Sequence, residues 1–173
     1  SFGGPVATTL AVHLGPRLRN LVLVASRFVT GHNRVHPELI SWKRIVDPLE
    51  RLAAHRVNLG RLMMSREEHV DALAVYIQST NTVRSRLVGR KLGIGSRLLD
   101  FLPRVRPQGR VTGICGREDQ GAKGIVDQQD AALKAIHPTG VAHIVDNAGH
   151  WVQYEAAERF NRLALEALAQ PGK

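Results

Sequence analysis

Three short stretches carry residues whose types and spacing could do chemistry: "SFGG" (1–4), "CGREDQ" (115–120) and "NAGHWVQYE" (147–155). A serine hydroxyl becomes a nucleophile only with a base to take its proton, and an imidazole serves as that base when a carboxylate holds its tautomer. Ser1, His150 and Asp119 supply the three groups. Around Ser1, the small Gly3 and Gly4 suit a tight strand-to-helix turn, and the following helix would aim its N-terminal N–H groups at whatever reacts there. Asp119 and His150 each follow a stretch that reads as a buried strand. In open α/β sheets, sites lie outside the carboxyl ends of such strands. Singly, Asp119 reads as a helix cap and His150 as a structural loop histidine, but three candidates in three strand-end loops argue for one site.

The elements that must position them alternate at both ends of the chain. "GPVATTLAVHLG" (4–15) has apolar residues at helical spacing and closes on Gly15-Pro16, a helix stop. "NLVLVAS" (20–26), "RVTGIC" (110–115) and "VAHIVD" (141–146) are short, rich in branched apolar residues and apolar on both faces, as strands buried in a parallel sheet must be. The stretch "IVDQQDAALKAIH" (125–137) separates the last two as a helix, and "AAERFNRLALEAL" (156–168) follows them as another. Strands and helices linked in this order predict an α/β fold with a parallel sheet and flanking helices. Residues 29–109 break the rhythm. "SWKRIVDPLERLAAHRVNL" and "SREEHVDALAVYIQSTNTVRSRL" are helical, with Ser65 to Glu68 placed as a capping box, so the stretch reads as a helical lid over the sheet. The division expected is core over 1–28, cap or lid over 29–109, and core again over 110–173.

With these residues in place the chain resembles the α/β-hydrolases, whose elbow motif is G-x-S-x-G with chain order Ser, acid, His. "SFGG" is similar to that elbow from its serine onward, "CGREDQ" to the acid loop, and "NAGHWVQYEAAERFNRLALEAL" to the histidine loop and final helix. Within the family the chain most resembles the meta-cleavage product hydrolases, which cut carbon–carbon bonds in vinylogous diketo acids, and related carboxylesterases. The resemblance implies the C-terminal portion of such a fold, with Ser1 as nucleophile, His150 as general base and then acid, and Asp119 orienting His150. It also implies that the Phe2 backbone N–H forms half of an oxyanion hole, that Trp151 walls the pocket, and that no cofactor or metal is needed. Serine rather than aspartate at the elbow argues against dehalogenase or epoxide-hydrolase chemistry. Arg84 and Arg86 lie near the region where a substrate-carboxylate arginine is expected.

The resemblance further implies that a second oxyanion-hole donor and central strands come from sequence preceding the elbow. The expected partner is therefore the N-terminal half of the same hydrolase as a separate chain, with a homo-oligomer left open. Self-cleavage by Ser1 at the preceding peptide bond is one route to such a terminus, and a boundary or proteolysis the plainer ones. The alternative function is a non-catalytic hydrolase-fold binding protein or an inert C-terminal fragment.

Composition fits a single compact domain of 173 residues, 43% of them hydrophobic. A net charge of +9 raises nucleic acid as a partner, but at 5% aromatic residues no stacking platform is interleaved with the basic positions, and a solvated basic surface is preferred. The lone Cys115 cannot form an internal disulfide and no apolar stretch is long enough to span a membrane, which predicts a cytoplasmic setting. Three further features read as non-functional: "HNRVH", with His32 and His36, lacks the glutamate of a zinc helix; "GRKLGIG" (89–95) lacks a phosphate loop's Gly-Lys-Ser/Thr ending; and Cys115 reads as a core residue.

Overall fold

The computed structural model describes residues 1–29, 37–86 and 97–169. Three parallel strands, β1 (Leu21–Val24), β2 (Val111–Gly116) and β3 (Gly140–Val145), form a sheet in the order β1-β2-β3. Register runs from Leu21 opposite Val111 and from Val111 opposite Gly140. All six residues of β2 are buried, which explains its continuous apolar reading as a central strand with helices over both faces.

One face is covered by α1 (Gly3–Leu14), α4 (Arg97–Phe101) and α5 (Gln129–Ile136). Their Ala11, Leu98 and Leu133 pack with Leu21, Leu23, Val111 and Cys115, and Phe28 joins the same cluster. On the opposite face α6 (Val152–Glu155) and α7 (Ala157–Ala169) bring Val152 and Leu163 against Ile114 and Val145. Leu98, Leu102 and Val105, which the sequence analysis groups with the helical insert, belong by packing to the sheet's first face.

Between β1 and α4 lie α2 (Pro48–Leu62) and α3 (Ala72–Arg84), packed on each other through a separate cluster of Leu59, Met64, Val70, Ala74 and Val75. Asp47 caps α2, accepting from the Leu49 and Glu50 N–H groups at 2.8 and 2.9 Å, with Pro48 at the first helical position where a missing N–H costs nothing. Asp71 caps α3 through the Ala74 N–H at 2.7 Å. The capping box expected at Ser65 and Glu68 is therefore corrected: α3 starts seven residues after Ser65, whose hydroxyl and N–H instead turn to Glu155.

His55 on α2 is buried under Trp42, ring centroids 4.9 Å apart, and among the described residues neither ring nitrogen has a hydrogen-bond partner. Burial, and then the Arg51 charge, hold its pKa below the ordinary histidine value. A histidine depressed in the folded state favours unfolding when protonated, so its stability term is present above the unfolded value near ~6.5 and is lost as pH falls through that value toward the folded one. Thermal melts should show the wild type losing more stability than His55→Phe between about pH 7 and about pH 5. Equal losses in the two proteins would contradict this account of His55.

Candidate active site

The loops after β2 and β3 are stitched together before any reactive group is considered. The Arg117 N–H donates to the Val145 carbonyl at 2.9 Å and the Glu118 N–H to Ala148 at 3.0 Å. The Glu118 carboxylate in turn accepts the Ala148 N–H at 3.0 Å. This frame carries Asp119 and His150. Asp119 opens a short turn (Gln120–Ala122), its Oδ1 accepting from the Gly121 N–H at 2.7 Å, while Oδ2 lies 2.8 Å from His150 Nδ1. A carboxylate can only accept, so Nδ1 carries a proton, and in the neutral ring the lone pair is then on Nε2. Asp119 is 3% exposed, which shields the pair from competing water.

Ser1 sits beside the carboxyl end of β1, its backbone nitrogen donating to the Val24 carbonyl oxygen. The Ser1 carbonyl accepts the Gly4 N–H at 2.8 Å as α1 begins. Gly4 answers to a close approach, since a Cβ there would lie 2.5 Å from Ser26 Oγ and 2.9 Å from Leu98 Cδ1. Gly3, expected to share that duty, has nothing within 4 Å of a Cβ position.

One cavity of about 130 Å³ is lined by Ser1, Asp119 and His150 together with Ala25, Ser26, Arg27, Met63 and Cys115. Ligand pockets usually offer roughly 300–1,000 Å³, so this space is smaller than a typical one. Ala25 holds a φ of 47° there, an uncommon backbone state for a residue with a side chain. Cys115 is no competing nucleophile, because burial first and the Asp119 charge second push its thiol up to about 12.

The structure thus brings Ser1, Asp119 and His150 to one cavity, while Phe2, the residue just before α1, is not among its lining residues. Trp151 is placed differently from the expectation. It is not among the cavity's lining residues; its ring lies 5.9 Å from that of Tyr154, and it packs with Tyr154 and Met63 against the cluster of α2 and α3. Arg84 and Arg86 are exposed and do not line the cavity. Arg27 was missed: it follows a strand that reads only as core, and its cationic side chain gave no pattern to mark it. His32, His36 and "GRKLGIG" lie outside the described residues. Among the described residues, no group of three or more His, Cys, Asp or Glu side chains is placed to hold a metal, and no helix is long and apolar enough to cross a membrane.

Comparison with known proteins shows the family and the fold. A model of the alpha/beta hydrolase family matches residues 1–163. The chain is 33% identical over 112 residues to 2-hydroxy-6-oxononadienedioate/2-hydroxy-6-oxononatrienedioate hydrolase 1 of Dechloromonas aromatica (strain RCB), a stretch covering 61% of this chain and 31% of that protein. In fold it is similar to 2-hydroxy-6-oxo-6-phenylhexa-2,4-dienoate hydrolase from Rhodococcus sp. strain RHA1, with TM-score 0.65 and 20% identity over 96% of this chain and 60% of that one. A serine hydrolase from the polyaromatic-hydrocarbon-degrading bacterium Cycloclasticus zankles aligns with TM-score 0.60 and 18% identity, over 94% of this chain and 59% of that one. The chain therefore spans about a third of the curated relative and about three fifths of these solved structures.

Proposed function

The chain belongs to the alpha/beta hydrolase family, and on that premise we propose that Ser1, His150 and Asp119 form the triad of a serine hydrolase. Its substrate is a small-molecule ester or a vinylogous diketo acid cleaved at a carbon–carbon bond. The observation that carries this reading is the 2.8 Å contact between Asp119 and His150 in a cavity that Ser1 also lines. The names of the relatives, hydrolases of oxo-dienedioates and oxo-dienoates, favour the carbon–carbon substrate.

In this mechanism the Nε2 lone pair of His150 takes the Ser1 hydroxyl proton as Oγ bonds to the substrate carbonyl carbon. Asp119 holds the Nδ1 proton and stabilises the imidazolium that forms. The carbonyl oxygen becomes an oxyanion facing the Phe2 N–H. Collapse breaks the bond to the leaving group, an alkoxide or a delocalised carbanion, which His150 protonates. Water, deprotonated by His150, then releases the acyl group from Ser1 and restores the triad. The reaction needs no cofactor, and a single buried thiol suits a reducing cytoplasm.

Residues 1–28 and 110–173 form the hydrolase core in this reading, joined by the packing of 97–105, and α2 and α3 belong to the cap. Phe2, Val6 and Leu10 are 45%, 54% and 57% exposed on α1, a row that a further hydrolase segment would cover while bringing the second oxyanion-hole donor. The segment proposed for this role is the N-terminal half of the same hydrolase as a separate chain.

Turnover of a short aryl ester against that of a dienoate ring-cleavage product tests the substrate. Hydrolysis of either supports the reading; a folded, intact protein inert toward both contradicts it. Arg27 gives the acidic substrate a carboxylate anchor at the cavity. Arg27→Met should raise KM for the dienoate by roughly 10- to 100-fold and leave that for a neutral ester nearly unchanged. Equal changes for the two substrates would remove Arg27 from recognition.

A further inference from the structure

Six residues after Gly149 and five after His150, Glu155 ends α6 with a side chain that is 0% exposed. A carboxylate so deeply buried is tolerable only when its oxygens are filled by donors. They are. Oε1 accepts from the Ser65 N–H and the Ser65 hydroxyl, each at 2.8 Å, and from His69 Nδ1 at 2.7 Å. Oε2 accepts from the Gly149 N–H at 2.5 Å. One carboxylate therefore joins two segments: the residue next to His150, and the turn that follows α2 at Met63, where Met63 and the last α2 residue, Leu62, line the cavity.

The surrounding contacts run the same way. The Trp151 N–H donates to the Met63 carbonyl at 3.0 Å, so the residues on both sides of His150 are tied to the turn at 63–65. The Tyr154 hydroxyl donates to Asp71 Oδ1 at 2.6 Å, adding α3 to the grip. The two backbones nearly touch, since a Cβ on Gly149 would lie 2.7 Å from the Ser65 nitrogen and 2.9 Å from the Met63 oxygen. His150 is thus held from two sides: Asp119 fixes its ring through Nδ1, and Glu155 fixes the backbone that carries it.

We propose that Glu155 is a positioning residue for the hydrolase, aiming His150 through the Gly149 N–H and setting the height of the cavity-lining turn through Ser65 and His69. The proposal rests on the triad reading. Glu155 touches no reacting atom; it acts by keeping His150 in reach of the Ser1 hydroxyl, where a misplacement of about 1 Å costs on the order of 100-fold.

Glu155→Gln separates its two jobs. The amide oxygen can still accept at one end, but the NH2 at the other faces an N–H donor, and the retained oxygen goes to the three donors of the 65–69 turn rather than to Gly149. The experiment on the intact enzyme combines steady-state kinetics, fluorophosphonate labelling of Ser1, and the NMR resonance of the His150 Nδ1 proton. The expected result is a fall in kcat and in labelling rate of about 10- to 100-fold, KM changed by about 2-fold or less, and a displaced or broadened His150 resonance in a protein with wild-type circular dichroism. A merely structural glutamate would lower Tm and leave kcat and the resonance of the folded fraction alone, which would overturn the proposal. Should Glu155→Gln fail to fold, Ser65→Ala decides, since it removes one donor to Oε1 and leaves the rest. The His150 resonance and kcat should then both shift, kcat by a few fold, and no shift in either would overturn the proposal. Wild-type enzyme whose Ser1 does not label would instead defeat the triad reading beneath it.

Discussion

Ser1→Ala should lower turnover by roughly 10⁴- to 10⁶-fold while the protein keeps its fold. Ser1 is exposed, so its hydroxyl can be removed without opening a buried cavity. The main-chain geometry that starts α1, with the Ser1 carbonyl on the Gly4 N–H and the Ser1 nitrogen on the Val24 carbonyl, does not use the side chain. In the proposed mechanism the substitution removes the atom that bonds to substrate. Residual rate would come from binding and oxyanion stabilisation alone. Steady-state kinetics on the intact enzyme, beside circular dichroism, checks this. A loss below about 10-fold in a folded protein would assign the nucleophile to another group.

Asp119→Asn should cost roughly 10⁴-fold in kcat through the tautomer of His150. Asp119 has two claims on it: the Gly121 N–H at 2.7 Å and the His150 Nδ1–H at 2.8 Å. An amide has one oxygen. If that oxygen stays with Gly121, the NH2 faces Nδ1, which must then accept, and the imidazole proton moves to Nε2, the atom that should take the serine proton. Asp119→Ala would lose the orientation as well but leave the tautomer free. Comparing kcat for the two variants, with wild type, measures how much of the effect is tautomer. An Asn variant with near wild-type kcat would show that the Asp119–His150 contact is structural.

The strands, and the loops that follow them, were more legible in the sequence than the contacts that support those loops. "NLVLVAS", "RVTGIC" and "VAHIVD" became β1, β2 and β3 to within two residues at each end, because branched apolar runs bounded by polar turns have little alternative in a parallel sheet. Asp119 and His150 followed from their places after two of those strands. Ser65 did not follow, since the local pattern offered Glu68 as its partner and the actual one, Glu155, lies 90 residues away. Short-range patterns compete with tertiary contacts, and a fully buried carboxylate has the stronger claim on a donor. Trp151 was expected at the pocket wall, yet it packs beside Met63 and Tyr154 against the apolar cluster of α2 and α3, a contact that local sequence does not reveal. Leu98 and Leu102 fell within the stretch read as lid, and only the fold shows that they pack on the sheet.

The account stands on one chemical claim, that Ser1 is a nucleophile activated by His150 and held ready by Asp119. The direct measurement is fluorophosphonate labelling of the intact protein followed by peptide mapping of the adduct. The account predicts one adduct, on the Ser1 hydroxyl, formed by the wild type and absent from Ser1→Ala and His150→Ala. A folded protein that takes up no label, or takes it at another residue, would contradict it.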